Sequence, residues 1–134
     1  MRYMLDTNIC IHLIQRQPPE VMARFNQLMR GDVVMSAVTL AELRHGVERN
    51  PQIKPAADAA LTHLLALIPA ISFDADAAVS YGILAATIRD RKRDALDRLI
   101  AAQAISLGVT LITNNEADFK DYPGLIVENW ISRT

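Results

Sequence analysis

The sequence lacks most features of secreted, membrane-spanning and nucleic-acid-coating proteins. Its one cysteine, Cys10, permits neither an internal disulfide nor a zinc finger, as is typical of a reducing compartment. Charged residues interrupt every apolar run before it reaches membrane-spanning length, and the N-terminus shows no signal-peptide pattern. We therefore expect a cytoplasmic protein with no membrane partner.

Net charge is also small, at -1 with a pI near 6.3. A protein that coats nucleic acid broadly would be strongly basic, so that class is excluded. A nuclease with an acidic centre and a local cationic rim remains compatible with this charge. The chain has 134 residues, of which 51% are hydrophobic, and this predicts one packed domain over residues 1–134.

What the sequence does contain is an alternation of short apolar runs with longer amphipathic ones. This pattern predicts an α/β fold in which helices flank both faces of a mainly parallel sheet. Strands are predicted at 3–5, 33–37, 71–73, 110–113 and near 126–127. Helices are predicted at 9–15, 20–29 (closed by Gly31), 39–49, 55–67, 97–107 and 116–119, with a further one running from Asp74 or Asp76 to the basic stretch 89–93.

Two acidic residues stand where a metal-dependent reaction could use them. Asp6 directly follows the first predicted strand, and Thr7 and Asn8 beside it can hydrogen-bond a carboxylate or a ligand water. The alternative is that Asp6 only caps the next helix. Glu42 lies in an apolar segment, and its alternative role is a capping box with Thr39 as N-cap, which the spacing slightly favours.

Further acidic and polar residues lie around the predicted helix 97–107 and the fourth predicted strand. Asp97 opens a helix, where it could instead complement the helix dipole. Thr113 and Asn115 should lie at the carboxyl edge of the sheet, where sites form in such folds. Asp118 could complete an acidic cluster or be an exposed acid. Jointly, these positions predict a site for Mg²⁺ or Mn²⁺, which prefer oxygen ligands.

Basic residues crowd around the start of the same helix. They could form a rim that contacts phosphates of a nucleic acid, or they could be a solvated helix end in which acids are interleaved. His12 and His63 are interpreted as surface or boundary residues, and Trp130 as a packing anchor. The candidate rim consists of Arg89, Arg91, Lys92, Arg93 and Arg98.

Four segments, in order, resemble the motifs of PIN-domain proteins. They cover essentially the whole chain, and its size and closing segment look most like VapC toxins of type II toxin–antitoxin systems. The fold implied is a PIN-like three-layer sandwich. The segments are Met4-Leu5-Asp6-Thr7-Asn8, Thr39-Leu40-Ala41-Glu42-Leu43 with Gly46, Asp97-Arg98-Leu99-Ile100-Ala101-Ala102, and Leu111-Ile112-Thr113-Asn114-Asn115 with Asp118-Phe119.

The resemblance implies an endoribonuclease that depends on Mg²⁺ or Mn²⁺. For this activity we predict in-line attack of metal-bound water on the RNA phosphodiester bond. By motif match, Asp6, Glu42 and Asp97 fall on the acidic metal-site positions of the family. Asn115 stands where relatives often carry a fourth acid, so Asp118 is the alternative. Asp94 rivals Asp97, because the preceding loop lacks the usual Gly/Pro segment.

The same resemblance implies partners. They are a VapB-like antitoxin that blocks the site, a second copy of the chain in a homodimer, and a structured RNA substrate such as tRNA or rRNA.

Two other functions compete with this interpretation. Haloacid-dehalogenase-like phosphatases also begin with an aspartate after the first strand. They need a second aspartate two residues later, where this chain has Asn8. A degenerate PIN domain that only binds RNA or a partner is the non-enzymatic alternative. The three acids argue against it, whereas the missing fourth acid leaves it open.

Overall fold

A five-stranded sheet lies between two layers of helices in the computed structural model, which describes residues 1–88 and 95–131. The strands are β1 (Tyr3–Leu5), β2 (Val33–Ser36), β3 (Ala70–Ile71), β4 (Thr110–Ile112) and β5 (Val127–Glu128). The α-helices are α1 (Thr7–Gln15), α2 (Pro19–Asn26), α3 (Ala37–Glu48), α4 (Lys54–Leu67), α5 (Ala75–Thr87) and α6 (Ala95–Leu107), and a 3-10 turn spans Glu116–Asp118.

The sheet has β1 at its centre, in the order β3-β2-β1-β4-β5. Every strand pairing within the described residues is parallel, with Leu5 opposite both Met35 and Ile112. Parallel strands end at the same edge of a sheet, so the residues after β1, β2 and β4 are brought together. This confirms the predicted parallel sheet and places Asp6 at the middle of its carboxyl edge.

The two faces of the sheet pack into two separate cores. Successive residues of a strand point to opposite faces, so Leu5 faces one core while Met4 faces the other. The first core takes side chains from α1 to α4 and from Trp130, which confirms Trp130 as a packing anchor. The second core takes α5, α6 and the pair Phe119 and Tyr122. The predicted three-layer arrangement is therefore confirmed.

The start of α3 differs from the sequence prediction. The helix begins at Ala37, and its N-cap is Ser36, whose hydroxyl accepts a hydrogen bond from the Val38 N–H at 2.9 Å. Thr39 lies inside the helix and is fully buried. The predicted Thr39–Glu42 capping box is therefore wrong, because β2 passes directly into the helix through a serine that already caps it.

The end of α2 also differs. The helix stops at Asn26, and Gly31, with φ 95°, lies in the turn that leads into β2. In this turn the Asp32 carboxylate accepts the Met29 N–H at 3.0 Å, and the Asp32 N–H donates to the Met29 carbonyl at 3.0 Å. Such local bonds give the backbone an alternative to helix, so the predicted extension to Met29 is wrong.

Strand β3 is shorter and earlier than predicted. It pairs with the end of β2 only at Ala70 and Ile71. The carbonyls of Ile71 and Ser72 instead accept hydrogen bonds from the buried Gln103 side chain, each at 3.0 Å. Asp74, not Asp76, then caps α5 by accepting the Ala77 N–H at 2.9 Å.

None of the described helices is long and apolar enough to cross a membrane.

Candidate active site

Asp6 occupies the turn that joins the central strand to α1. Its N–H donates to the Ile112 carbonyl at 3.0 Å, and its Oδ1 accepts the Ile9 N–H at 2.9 Å. The residue is only 6% exposed. Asp6 does cap the helix, as one sequence interpretation held, and its position also aims the carboxylate at the carboxyl edge of the sheet.

The surroundings of Asp6 make its charged form costly. Burial raises the pKa of the Asp6 carboxyl, and the nearby Glu42 carboxylate raises it further. Hydrogen bonds from the Thr113 hydroxyl and the Ile9 N–H, and the positive potential of His12, lower the pKa without reversing that shift. A buried carboxylate beside a second one is the electrostatic setting that a bound cation would relieve.

Glu42 reaches the same place from α3. The Thr7 hydroxyl donates to Glu42 Oε1 at 2.6 Å, which ties the first turn of α1 to the second turn of α3. The Thr39 hydroxyl lies 3.5 Å from the Thr7 hydroxyl and completes this polar group. The sequence pattern predicted Thr39 as the N-cap of the helix. The signal for its place beside Glu42 was the spacing, because residues three apart lie on the same face of a helix.

The loop after β4 supplies the other side of the site. Thr113 is fully buried, interacts with Asp6, and accepts the Asn115 N–H at 3.0 Å. Asn115 is exposed and donates a side-chain hydrogen bond to Asp118. These two residues therefore interact with one another, and a ligand role for Asp118 or Asn115 stays a prediction.

The remaining predicted site residues are placed less centrally. Asp97 and Arg98 lie half-buried in the first turn of α6, and Asn8 is exposed in the first turn of α1. Across residues 1–88 and 95–131, no group of three or more acidic, histidine or cysteine side chains is gathered to hold a metal ion. Asp97 as a third ligand therefore stays a prediction. Arg89, Arg91, Lys92, Arg93 and Asp94 lie outside the described residues.

His12 is the residue that sequence reasoning missed. Its Nε2 lies 3.5 Å from the Asn114 side-chain nitrogen, in the loop after β4, and its charge acts on Asp6. The only signal in the sequence was spacing, since His12 follows the buried Ile9 by three residues and so lies beside the buried stripe of α1.

The converging donors are all oxygen atoms. Two carboxylates, from Asp6 and Glu42, meet beside the hydroxyls of Thr7 and Thr113. Hard divalent cations such as Mg²⁺ and Mn²⁺ prefer this chemistry, whereas Zn²⁺ and Cu²⁺ sites draw on nitrogen and sulfur. The oxygen donors of these residues therefore fit the predicted Mg²⁺ or Mn²⁺.

A separate apolar groove of about 380 Å³ lies between α1, α2 and α4. It is open to solvent and lies beside the first core. Its apolar walls include Leu13, Ile14, Met22, Phe25, Leu64 and Leu67.

The PIN domain family model matches residues 3–125 of this chain. The chain is 36% identical over 132 residues to the tRNA(fMet)-specific endonuclease VapC of Shigella flexneri, covering 97% of this chain and 98% of that protein. It is 35% identical over 133 residues to ribonuclease VapC2 of Rickettsia felis, with 97% and 98% covered.

Solved structures agree with the sequence relatives. The fold is similar to a chain in the crystal structure of VapBC2 from Rickettsia felis bound to a DNA fragment from their promoter. The TM-score is 0.89 at 34% identity, covering 98% of this chain and 100% of that chain. With the PIN domain model matched over residues 3–125 and nearly the whole chain shared with these relatives, the chain belongs to the PIN-domain family and, within it, to the VapC ribonucleases.

Proposed function

We propose that this protein is an endoribonuclease that depends on Mg²⁺ or Mn²⁺ and acts as the toxin of a VapBC-like pair. The observation that carries the proposal is the convergence of Asp6 and Glu42 at the carboxyl edge of the central strand. This convergence occurs in a chain whose residues 3–125 match the PIN domain.

Each residue of the site has a distinct part in this proposal. Asp6 and Glu42 offer carboxylate oxygens to the cation, and Asp97 is proposed as the third ligand. Thr7 fixes the direction of the Glu42 carboxylate, and Thr113 fixes that of Asp6. A bound divalent cation would lower the pKa of a water molecule and stabilise charge during in-line displacement at phosphorus.

An antitoxin partner is proposed because the similar Rickettsia felis chain was solved as a VapBC2 complex. The apolar groove between α1, α2 and α4 suits an amphipathic helix, which binds by laying its apolar face into such a groove. We propose this groove as the binding site of a VapB-like antitoxin.

For the substrate we propose a structured RNA such as tRNA or rRNA, since the Shigella flexneri relative is tRNA(fMet)-specific. The setting proposed for this reaction is the cytoplasm.

A homodimer is proposed through α5. Val79 and Ile83 lie one helical turn apart and are 63% and 67% exposed. Two large apolar side chains side by side on one helix face favour association with a second copy.

Cleavage of RNA by the purified protein tests the activity. Asp6→Asn keeps the shape and the helix cap but removes the carboxylate charge, so we expect cleavage to fall more than about 100-fold, beyond the loss typical of outer-shell changes. Asp76→Asn, at an exposed acid of α5, is the matched control and should cleave like wild type. EDTA should stop the wild-type reaction, and Mg²⁺ or Mn²⁺ should restore it.

Two results would contradict the proposal. Undiminished cleavage by Asp6→Asn would remove Asp6 from the reaction. RNA binding without EDTA-sensitive cleavage would identify a non-catalytic binder instead. The toxin role is tested separately by expression with and without the product of the neighbouring gene, which should relieve growth arrest.

A further inference from the structure

An open cleft whose lining includes polar and charged side chains lies at the turn that joins α1 to α2. Its volume is about 540 Å³, within the range of about 300–1,000 Å³ that small-molecule sites occupy. It shares Arg16 with the groove proposed for the antitoxin, and it adds the imidazole of His12 and the amides of Gln15 and Gln17. The cleft is lined by His12, Gln15, Arg16, Gln17, Pro18 and Pro19.

His12 joins this cleft to the candidate active site. One side of the residue lines the cleft, and its Nε2 lies 3.5 Å from the Asn114 side-chain nitrogen. Asn114 directly follows Thr113, which interacts with Asp6. A molecule in the cleft that contacts His12 would therefore lie next to the loop that follows β4.

The lining has the chemistry that recognises a nucleotide. The imidazole of His12 offers a flat face on which a base can stack, and the amides of Gln15 and Gln17 can donate to and accept from base edges. Arg16 ends α1 with φ 58°, and its exposed side chain supplies a guanidinium for phosphate. Among the described residues no carboxylate forms an ion pair with Arg16, so its charge is available.

We propose that this cleft is a nucleotide subsite, which holds one unpaired nucleotide of the RNA next to the bond that is cut. The base lies against His12 and the phosphate against Arg16. The inference rests on the proposed ribonuclease function and extends it, because it assigns substrate recognition to the α1–α2 turn.

Binding without cleavage is the first test. The probe is a fluorescein-labelled single-stranded RNA of about ten nucleotides, followed by anisotropy in EDTA. Arg16→Asn should weaken binding about ten-fold, and the slope of log K against log salt should fall by about 0.7, the value for one lost phosphate contact on a single strand. Asparagine tolerates the left-handed backbone at this position, so the helix end is kept.

Arg30→Asn is the matched control. Arg30 is exposed and precedes β2, at the opposite edge of the sheet. The variant therefore loses the same charge, far from the cleft. Its affinity and salt slope should equal those of wild type.

The stacking role of His12 is tested by a pair of substitutions. His12→Gln loses the flat ring and should weaken RNA binding about ten-fold, within the range for loss of one stacked base. His12→Phe keeps a flat ring and should bind within about two-fold of wild type.

In the cleavage assay with Mg²⁺, Arg16→Asn should raise KM with kcat unchanged, because the substitution removes a binding contact and not a catalytic group.

The possible outcomes separate this inference from the function beneath it. If Arg16→Asn and His12→Gln cleave RNA with the KM of wild type and bind it with the affinity of wild type, the subsite alone is overturned. Weaker antitoxin binding by these variants, with RNA affinity intact, would likewise reject the nucleotide and favour a protein contact. If wild type binds RNA but does not cut it, the proposed activity fails, while the affinities still decide the subsite. If wild type does not bind RNA, both fail.

Discussion

At the scale of single residues, the site depends on one buried carboxyl that has two tasks. Asp6 caps α1 through Oδ1 and faces Glu42 across the carboxyl edge. The two tasks are compatible because a carboxylate has two oxygens with several lone pairs. The cap fixes its orientation, so that a cation would meet a carboxylate already held in place.

Cys10, one helical turn after Asp6, should be chemically inert in the folded protein. It is fully buried, and burial raises the pKa of its thiol, with the Asp6 charge raising it further. The reactive thiolate is therefore disfavoured at neutral pH. Labelling with a thiol-specific chromogenic disulfide should be more than about 100-fold slower in native than in unfolded protein, as expected when labelling needs an opening of about 3 kcal/mol.

The control for this prediction is the same protein in guanidinium chloride, where one thiol per chain should react quickly. Rapid labelling under native conditions would show that Cys10 is accessible and that α1 opens readily.

At the scale of secondary-structure elements, the site is built by strands that pass into helices through a single residue. Asp6 joins β1 to α1, and Ser36 joins β2 to α3. Because no longer loop intervenes, the first turns of both helices are fixed against the edge of the sheet. This brings Thr7 within 2.6 Å of Glu42.

Ser36→Ala should destabilise the protein by about 0.5–2 kcal/mol, the usual range for loss of an N-cap. A value in the upper part of the range is expected, because Ser36 is fully buried and the Val38 N–H loses its side-chain acceptor. Urea unfolding measures the change in free energy. Since α3 carries Glu42, RNA cleavage should also decrease.

Ser72→Ala is the matched control, because Ser72 is exposed and takes part through its backbone carbonyl. Its free energy of unfolding should stay close to that of wild type. Equal stability of Ser36→Ala and wild type would mean that the start of α3 is not set by Ser36.

At the scale of the whole molecule, a parallel sheet with two cores separates the surfaces that the proposed function uses. The acids lie at the carboxyl edge, and the apolar groove lies on the α1–α4 side. Val79 and Ile83 lie on α5, which packs in the other layer. A dimer through α5 would therefore leave the groove open to an antitoxin.

The double variant Val79→Glu/Ile83→Glu should weaken self-association. Placing carboxylates in an apolar interface removes buried area and adds unpaired charge, so the dissociation constant of the dimer should rise at least ten-fold, about 1.4 kcal/mol. Sedimentation equilibrium measures this constant directly.

Met29→Glu is the control for that experiment. Met29 is 78% exposed and lies in the turn before β2, near Phe25 and Leu67 in the other helix layer. Its dimerisation should match wild type. A monomeric wild type, or a double variant that dimerises normally, would exclude an interface on this face of α5.

Much of the fold could be predicted because its signals are local. Apolar runs gave the approximate strand positions, and the alternation with helices gave the parallel sheet. Asp6 at the carboxyl edge followed from the same reasoning. The errors came where local signals competed: Thr39 and Ser36 could both cap α3, and Gly31 could close α2 or serve the following turn. Side-chain bonds from Gln103, 31 and 32 residues away along the chain, were not visible in the pattern.

The sequence by itself determined the order of elements, the acidic motif positions and the family, because each is written in residues close together along the chain. Only the tertiary structure decided which distant side chains meet. Thr7 and Glu42 are separated by 35 residues, and His12 and Asn114 by 102. Their contacts arise from parallel strands that end at one edge, a geometry that hydrophobic periodicity does not encode.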